Sequence, residues 1–324
     1  MVANVEGFEG PLSVRQFKGG QSNPTYRLTT PKSDYVLRRK PPGALLTGAH
    51  AVEREARVMA AIGAAGYPTP RIYGLCEDVG VIGAAFYVME MIEGRIFWDS
   101  TLAHMPRDER AWYYDAMNAA IATLHGLDPV KVGLGDFGPP SDYLQRQLRR
   151  WTRQYLDDAK DVGRIEELDR LIDWLPRNLP PAGETRIVHG DYKLDNVIFH
   201  PSRPEVLAVL DWELSTLGDP LADFTFHLMV WRLPPALLSG LIAADLDALG
   251  LPRESDYVSA YCQRSGRRLD HLDVYLAFNM FRFSAIIHGI KARIARGTAT
   301  SAQANTLVEN LPLAAAIAWK QAAG

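Results

Sequence analysis

The sequence predicts an α+β protein of two lobes, a small strand-rich lobe over residues 1–93 and a large, mainly helical lobe over residues 94–324. Three observations carry this. Up to Glu93 the chain is dominated by short β-type runs separated by Gly, Pro, Ser and Asp. Beyond Gly94 the apolar residues recur at helical spacing over long stretches. Within the helical lobe a pair of apolar runs, Ile187 to Phe199 and Val206 to Leu210, carries Asp and Asn at the positions where strands end.

The elements follow in order. Leu12 to Phe17, Thr25 to Thr30 and Tyr35 to Arg39 read as strands, and Pro41-Pro42-Gly43 stops the third. His50 to Ala65 places Val52, Ala56, Met59 and Ala60 on one side and Glu53, Arg54 and Arg57 on much of the other, which is an amphipathic helix. Ile72 to Cys76 and Ala84 to Met91 are two further strands. Asp108 to His125, Ser141 to Asp158 and Ile165 to Pro176 are expected as helices, followed by the strand pair. Further helices are expected near Asp219 to Trp231, Glu254 to Gly266, Leu272 to Arg296 and Ala302 to Lys320. A small lobe joined to a large one near Glu93-Gly94 predicts a ligand cleft at the joint.

The bulk numbers narrow the function classes. A chain of 324 residues with 47% hydrophobic and 23% charged residues has an ample core and an ordinary globular composition. A net charge of −3 gives no reason to expect nucleic acid as a partner. The two cysteines, Cys76 and Cys262, lack metal spacing and make no disulfide framework, which fits a reducing cytoplasm. The opening Met-Val-Ala-Asn-Val-Glu-Gly lacks the basic and apolar regions of a signal peptide. Asn279, Arg282, Ser284 and His288 interrupt the most apolar stretch, Val274 to Ile290, so it reads as a buried helix and no membrane is expected as a partner. Oligomeric state stays open.

The chemistry concentrates in Ile187 to Phe199, which contains H-G-D-x-x-x-x-N with Asp191 and Asn196, and in Asp211 at the end of Val206 to Leu210. One carboxylate to orient a hydroxyl and accept its proton, plus one amide and one carboxylate to hold magnesium on phosphates, is the set that phosphoryl transfer requires. Asp191 is therefore expected as the base, and Asn196 and Asp211 as the catalytic metal ligands, with ATP and Mg²⁺ as cofactors. His189 reads as a brace of the loop, Asp195 as an understudy carboxylate, and Asp219-Pro220 as the opening of a helix, with Asp223 one turn on.

In this order of elements the chain resembles the protein kinase-like fold of the aminoglycoside phosphotransferase and choline kinase type. Within it, the chain is most similar to the kinase-like domain fused to some acyl-CoA dehydrogenases. The segments that carry the resemblance are F-K-G-G-Q-S-N-P-T-Y, Y-V-L-R-R-K-P-P-G, E-R-E-A-R-V-M, H-G-D-Y-K-L-D-N and L-D-W-E-L-S-T-L-G-D-P-L-A-D-F, between about residues 17 and 224. The resemblance implies an ATP-dependent phosphotransferase with an alcohol as acceptor. It implies that Gly19, Gly20, Ser22 and Asn23 form a phosphate-covering loop, and that Glu90, Met91 and Ile92 form an adenine hinge. Arg38 stands where the fold usually carries a lysine, with Lys40 two residues on as the alternative, and Glu55 is the expected helix partner, with Glu53 its rival.

The acceptor is expected to be a small hydroxylated molecule. Ser141 to Tyr155 carries Arg146, Arg149, Arg150 and Arg153 against Asp142 alone, and Arg282 and His288 interrupt an apolar helix in the region where the fold places the acceptor. Cations there favour an anionic acceptor, such as a hydroxy acid or a hydroxyacyl-CoA. Two alternatives stand beside this reading: a pseudokinase that binds nucleotide without transfer, supported by Arg38 in place of lysine, and an aminoglycoside- or choline-type kinase.

Overall fold

Alternation of apolar and polar residues builds a five-stranded antiparallel sheet at the start of the chain. A computed structural model describes all residues except 3, 4, 6, 18–22, 42–50 and 299–301, so Gly19, Gly20 and Ser22 lie outside the described residues. In chain order the elements are β1 (Ser13–Gln16), β2 (Thr25–Thr29), β3 (Asp34–Arg39), α1 (Val52–Ala64), β4 (Ile72–Cys76), α2 (Val79–Ile82), β5 (Phe86–Glu90), α3 (Arg110–Gly126), α4 (Tyr143–Val162) and α5 (Glu166–Asn178). There follow β6 (Arg186–Val188), β7 (Val197–Phe199), β8 (Val206–Val209), β9 (Thr216–Gly218), α6 (Pro220–Leu228), α7 (Leu246–Leu249), α8 (Glu254–Ser265), α9 (Leu272–Ala295), α10 (Ala302–Glu309) and α11 (Leu311–Ala323).

The chain divides into two compact units. The first takes Met1–Ile96, Leu127–Gly135 and Asp195–Ser215; the second takes Phe97–Gly126, Asp136–Leu194 and Thr216–Gly324. The first stretch ends close to the expected boundary at Glu93-Gly94, and two later segments join it.

In the first unit the strand order is β1-β2-β3-β5-β4, every neighbouring pair antiparallel. Val5, Leu28, Tyr35 and Val88 form a small core with Phe8, Tyr26 and Tyr73 around it. Helix α1 buries Val52, Ala56, Val58, Met59 and Ile62, and the same inward face carries Glu55. A carboxylate on a buried face needs partners, which the site supplies. The ribbon β7–β8 also belongs here, with Val197 opposite Val209 and all three β7 residues buried.

In the second unit α9 is the central element. It is apolar on most sides and buried through most of its length, with α4, α6 and α11 packed on it. Among the described residues no helix is long and apolar enough to cross a membrane. The ribbon β6–β9, absent from the sequence reading, pairs Ile187 with Leu217. Three other differences have local causes. The expected helix Ala302 to Lys320 breaks at Asn310, because Pro312 lacks an N–H and fits only the first turn of α11. The helix expected to run from Asp219 to Trp231 ends at Leu228 and tightens into a 3₁₀ turn at Met229–Trp231. Helix α2 is too short for periodicity to reveal; it starts where Asp78 accepts the Gly80 N–H at 2.8 Å and ends at left-handed Gly83.

One glycine fixes the path beyond β5. Arg95 and Phe199 exchange two backbone hydrogen bonds of 2.8 Å, which draws Gly94 against β7. A Cβ at Gly94 would overlap the Phe199 carbonyl oxygen and the Ile198 Cγ2 methyl. Gly94→Ala is therefore expected to destabilise the protein by about 1–3 kcal/mol. Gly126→Ala, at a helical position with nothing near a new Cβ, should be neutral or slightly stabilising. Denaturant unfolding of both variants checks this; equal effects would refute the close-approach explanation.

Candidate active site

Arg38 organises the site residues of the first unit. It lies on β3 with its side chain only 13% exposed, and three carboxylates share it. Its Nε is 2.9 Å from Glu55 Oε2, and its Nη2 is 3.0 Å from Asp211 Oδ1 and 3.5 Å from Glu213 Oε2. Burial alone would lower the Arg38 pKa, but Glu55, Tyr87, Asp211 and Glu213 together raise it, so the guanidinium is charged. Lys40 pairs instead with Glu53, and both of those side chains are about a quarter exposed. The two expected cation–carboxylate alternatives thus form two separate pairs, of which Arg38–Glu55 is the buried one.

Glu55 is fully enclosed. Its Oε1 accepts from Asn23 Nδ2 at 2.7 Å, and its Oε2 accepts from Tyr87 OH at 3.0 Å. Burial pushes its pKa up to about 7, because desolvation outweighs the help of Arg38 and Tyr87 and the nearby Asp211 and Glu213 oppose ionisation further. Asn23, expected in the phosphate-covering loop, is buried and turns its amide to Glu55.

Asn196 and Asp211 meet at one end of the β7–β8 ribbon. Asn196 immediately precedes β7, Asp211 follows β8, and the Leu210 N–H donates to the Asn196 carbonyl at 2.8 Å. Asn196 is buried, whereas the Asp211 side chain is 34% exposed. Asp211 has φ of 65°, a conformation rare outside Gly, Asn and Asp, and it turns the chain directly into the 3₁₀ turn that carries Trp212 and Glu213. Asn196 and Asp211 offer an amide and a carboxylate oxygen at one ribbon end, hard donors of the kind magnesium takes when water and phosphate oxygens complete its shell. Among the described residues no group of three or more His, Cys, Asp or Glu could cage a metal by itself.

Of the expected hinge, Glu90 closes β5. Its N–H donates to the Arg71 carbonyl at 2.9 Å, and its carboxylate accepts the Arg71 N–H at 3.2 Å. Met91 and Ile92 follow, both half-buried.

The second unit presents Asp191 on a tightly held loop. The fully buried Asp223 carboxylate on α6 accepts the backbone N–H groups of His189 and Gly190, each at 2.7 Å, and meets His125 Nε2 at 3.1 Å. His125 Nδ1 lies 2.8 Å from Tyr261 OH. Burial would raise the Asp223 pKa, but the His125 bond, the His125 and His189 charges and the Gly190 N–H hold it below the usual carboxylate range. Gly190 has φ of 85°, and its carbonyl accepts from Arg282 Nη2 at 2.6 Å. The Asp191 N–H donates to His189 Nδ1 at 3.1 Å, and Asp191 Oδ2 lies 3.5 Å from Lys193 Nζ. Asp219 caps α6 by accepting from the Leu221 and Ala222 N–H groups and receives Tyr275 OH at 2.9 Å.

Arg282 and His288, both expected at the acceptor, lie in different surroundings. Arg282 is 5% exposed, its guanidinium stacks over the rings of Phe226 at 4.9 Å and Trp151 at 6.0 Å, and no carboxylate pairs with it among the described residues. His288 lies six residues further along α9. There its Nε2 meets the Gly163 carbonyl at 2.9 Å, its ring packs on Tyr155 at 4.8 Å, and burial lowers its pKa. The sequence reading did not find Glu213, Tyr87, His125 or Tyr261. Only Glu213 had a signal, its place two residues after Asp211.

A family model described as "APH: Phosphotransferase enzyme family" matches residues 13–257. Acyl-CoA dehydrogenase family member 10 of Mus musculus is 43% identical over 316 residues, covering 96% of this chain; the chain spans 29% of that protein. A solved structure from Ralstonia eutropha JMP134, described as a presumptive aminoglycoside phosphotransferase, is 48% identical with a TM-score of 0.91, covering 100% of this chain and 96% of that one. A thermostable mutant of aminoglycoside phosphotransferase APH(4)-Ia, in ternary complex with AMP-PNP and hygromycin B, shares the fold alone. It has 13% identity and a TM-score of 0.63, covering 97% of this chain and 96% of that one.

The shifted Glu55 gives a prediction about pH. Its carboxyl ionises at about 4.5 without the fold and at about 7 within it. Its favourable contribution is therefore complete below 4.5 and is lost as pH rises through 7. Glu55→Gln removes this dependence. The variant should match the wild type near pH 4.5 and exceed its stability by about 1–3 kcal/mol at pH 8, read by denaturant unfolding at both values. A stability difference that does not change with pH would count against the buried-carboxyl assignment.

Proposed function

The chain belongs to the phosphotransferase enzyme family, and from that premise we propose that it transfers the γ-phosphoryl group of ATP to a hydroxyl of a small anionic acceptor. The observation that carries this is the convergence of Asn196 and Asp211 at one ribbon end, with Arg38 reaching Asp211. The AMP-PNP held by the APH(4)-Ia structure supports a nucleotide donor. Asn196 and Asp211 are the residues that would hold magnesium; when bound, the ion neutralises charge on the phosphate oxygens. Arg38 is the cation proposed to meet the phosphates, its guanidinium held by Glu55 and Asp211. Asn23 and Tyr87 in turn fix Glu55. Asp191 orients the acceptor hydroxyl and takes its proton, on a loop that Asp223 and Arg282 hold from two sides. The backbone beyond β5, at Met91 and Ile92, is the proposed adenine contact.

The acceptor's charge is inferred from Arg282, a buried cation with no carboxylate partner among the described residues, and from the four arginines of α4. The name of the mouse relative points toward acyl-CoA metabolism, which supports a hydroxy acid or hydroxyacyl-CoA. The free Cys76 and Cys262 support a reducing compartment such as the cytoplasm.

The test is ATP consumption with hydroxy acids, hydroxyacyl-CoAs, choline and kanamycin. Turnover is expected with an anionic candidate; turnover with kanamycin or choline alone would overturn the acceptor class. ATP binding without turnover on any compound would favour the pseudokinase. Asp191→Asn should lower turnover by roughly 10²–10⁴ with ATP affinity nearly unchanged. Asp211→Ala should weaken both Mg–ATP binding and turnover, and Asn196→Ala should weaken binding less, because it removes a neutral ligand. Calorimetry with and without magnesium separates these outcomes; ATP binding that ignores both magnesium and Asp211 would refute the metal site.

A further inference from the structure

Helix α4 has two faces of opposite character. Tyr143, Leu144, Leu148 and Tyr155 are buried. The outward face carries Arg146, Arg149, Arg150 and Arg153, which with Gln154 and Asp157 line an open hollow of about 280 Å³. Among the described residues no carboxylate forms an ion pair with any of the four. Asp157, the one acid of the hollow, is held by Lys160 at 2.8 Å. Arg146 donates Nη2 to the Pro139 carbonyl, but its Nη1 is buried without a hydrogen-bond partner. Four guanidiniums within three helical turns repel one another, and an anion relieves that repulsion.

A second hollow opens beside the first. It lies between α4 and α5, holds about 670 Å³, and shares Arg149, Arg153 and Asp157 with the arginine face. Its apolar lining comes from Leu148, Leu156, Ile172, Pro176 and Leu179. A volume in this range is typical of small-molecule sites. Of the apolar side chains on these two helices only Leu156 counts among the exposed large hydrophobics, at 38%. The surface therefore has a groove to receive a chain and no apolar ridge to enter a membrane.

The geometry points to this paired hollow as a binding site for a soluble phosphorylated amphiphile, its phosphate on the α4 arginines and its acyl chain in the α4–α5 groove. Arginine's planar fork suits phosphate oxygens, and a chain in the groove removes apolar surface from water. The Trp151 ring lies 5.3 Å from the Arg150 guanidinium and 6.0 Å from that of Arg282, which bonds the carbonyl before Asp191. It shares the α4 arginines with the anionic-acceptor reading, but binding here requires no nucleotide and no transfer, so the two are tested separately.

Calorimetry on the whole chain, without nucleotide, tests it with decyl phosphate below its micelle concentration, inorganic phosphate, decanol, and vesicles of phosphatidylcholine and phosphatidylglycerol. Decyl phosphate is expected to bind at one saturable site, at least about tenfold more tightly than inorganic phosphate or decanol. The double variant Arg149→Glu/Arg153→Glu, at two exposed positions, should weaken it by about tenfold or more while the circular dichroism spectrum and melting temperature hold. Thr152→Trp fills the groove and should abolish the advantage of decyl phosphate over inorganic phosphate. The proposal is overturned if decyl phosphate does not bind, if the arginine variant binds it undiminished, or if the chain adds nothing over inorganic phosphate. Arginine-dependent binding to the vesicles without binding of the monomer would also overturn it, in favour of a membrane-surface role.

Discussion

The placement of Asp191 depends on one buried carboxylate. The Asp223 side chain has no exposure to solvent, so every bond it would make with water must be replaced inside the protein. Two consecutive backbone N–H groups and an imidazole replace them. Gly190 at φ 85° then turns the chain toward Asp191 in a left-handed conformation that a residue without Cβ adopts at the lowest steric cost. Gly190, the residue before Asp191, is gripped on both sides, its N–H by Asp223 and its carbonyl by Arg282. Helix α6 is secured in turn by the Asp219 cap and by Asn279 of α9, whose amide donates to the Ala222 carbonyl and Thr225 Oγ1. The loop thus inherits its order from the buried helix at the centre of its unit.

In the first unit the controlling constraint is charge. One guanidinium faces three carboxylates, and the most deeply buried of these, Glu55, has the pKa near neutrality. This arrangement also explains why arginine serves at position 38. Its planar fork places Nε on Glu55 and Nη2 on Asp211 at the same time. A lysine ammonium is one point charge and cannot span both carboxylates in that geometry. Arg38 therefore links the helix carboxylate to the ribbon end.

Much of this was legible because the signals were local. Buried short strands need apolar runs, and the acids and amides that end them stand out, so Asp191, Asn196 and Asp211 could be read directly. The pairing of Arg38 with Glu55 over Lys40 with Glu53 was a choice between adjacent candidates, settled by which carboxylate faces the core. What stayed hidden depends on contacts distant in sequence. Tyr261 meets His125 across 136 positions and His125 meets Asp223 across 98, and neither residue carries a motif. β9 is three residues long and became visible only by pairing with β6. His288 interrupts the apolar run of α9 as Arg282 does, but six residues of helix carry it to Gly163 and Tyr155, away from Gly190. Interruption of an apolar pattern reveals burial and not the destination of the side chain.

Arg282 and the arginines of α4 act through different physics, although they share a sign. The outer arginines are hydrated, so their charge is cheap to keep and their attraction for an anion is screened by salt. Without an apolar chain anchored in the adjoining groove, they raise the local concentration of anions and speed encounter more than they discriminate. Arg282 is almost fully desolvated, with a carbonyl and two aromatic faces for partners and its Nε unpaired. A cation in that setting gains far more from an anion than one in water does, because the local dielectric is low and much of the desolvation is already incurred by the fold. The same charge thus has a different reach at the two places: short of water at Arg282 beside Gly190, and screened by it along the outer face of α4.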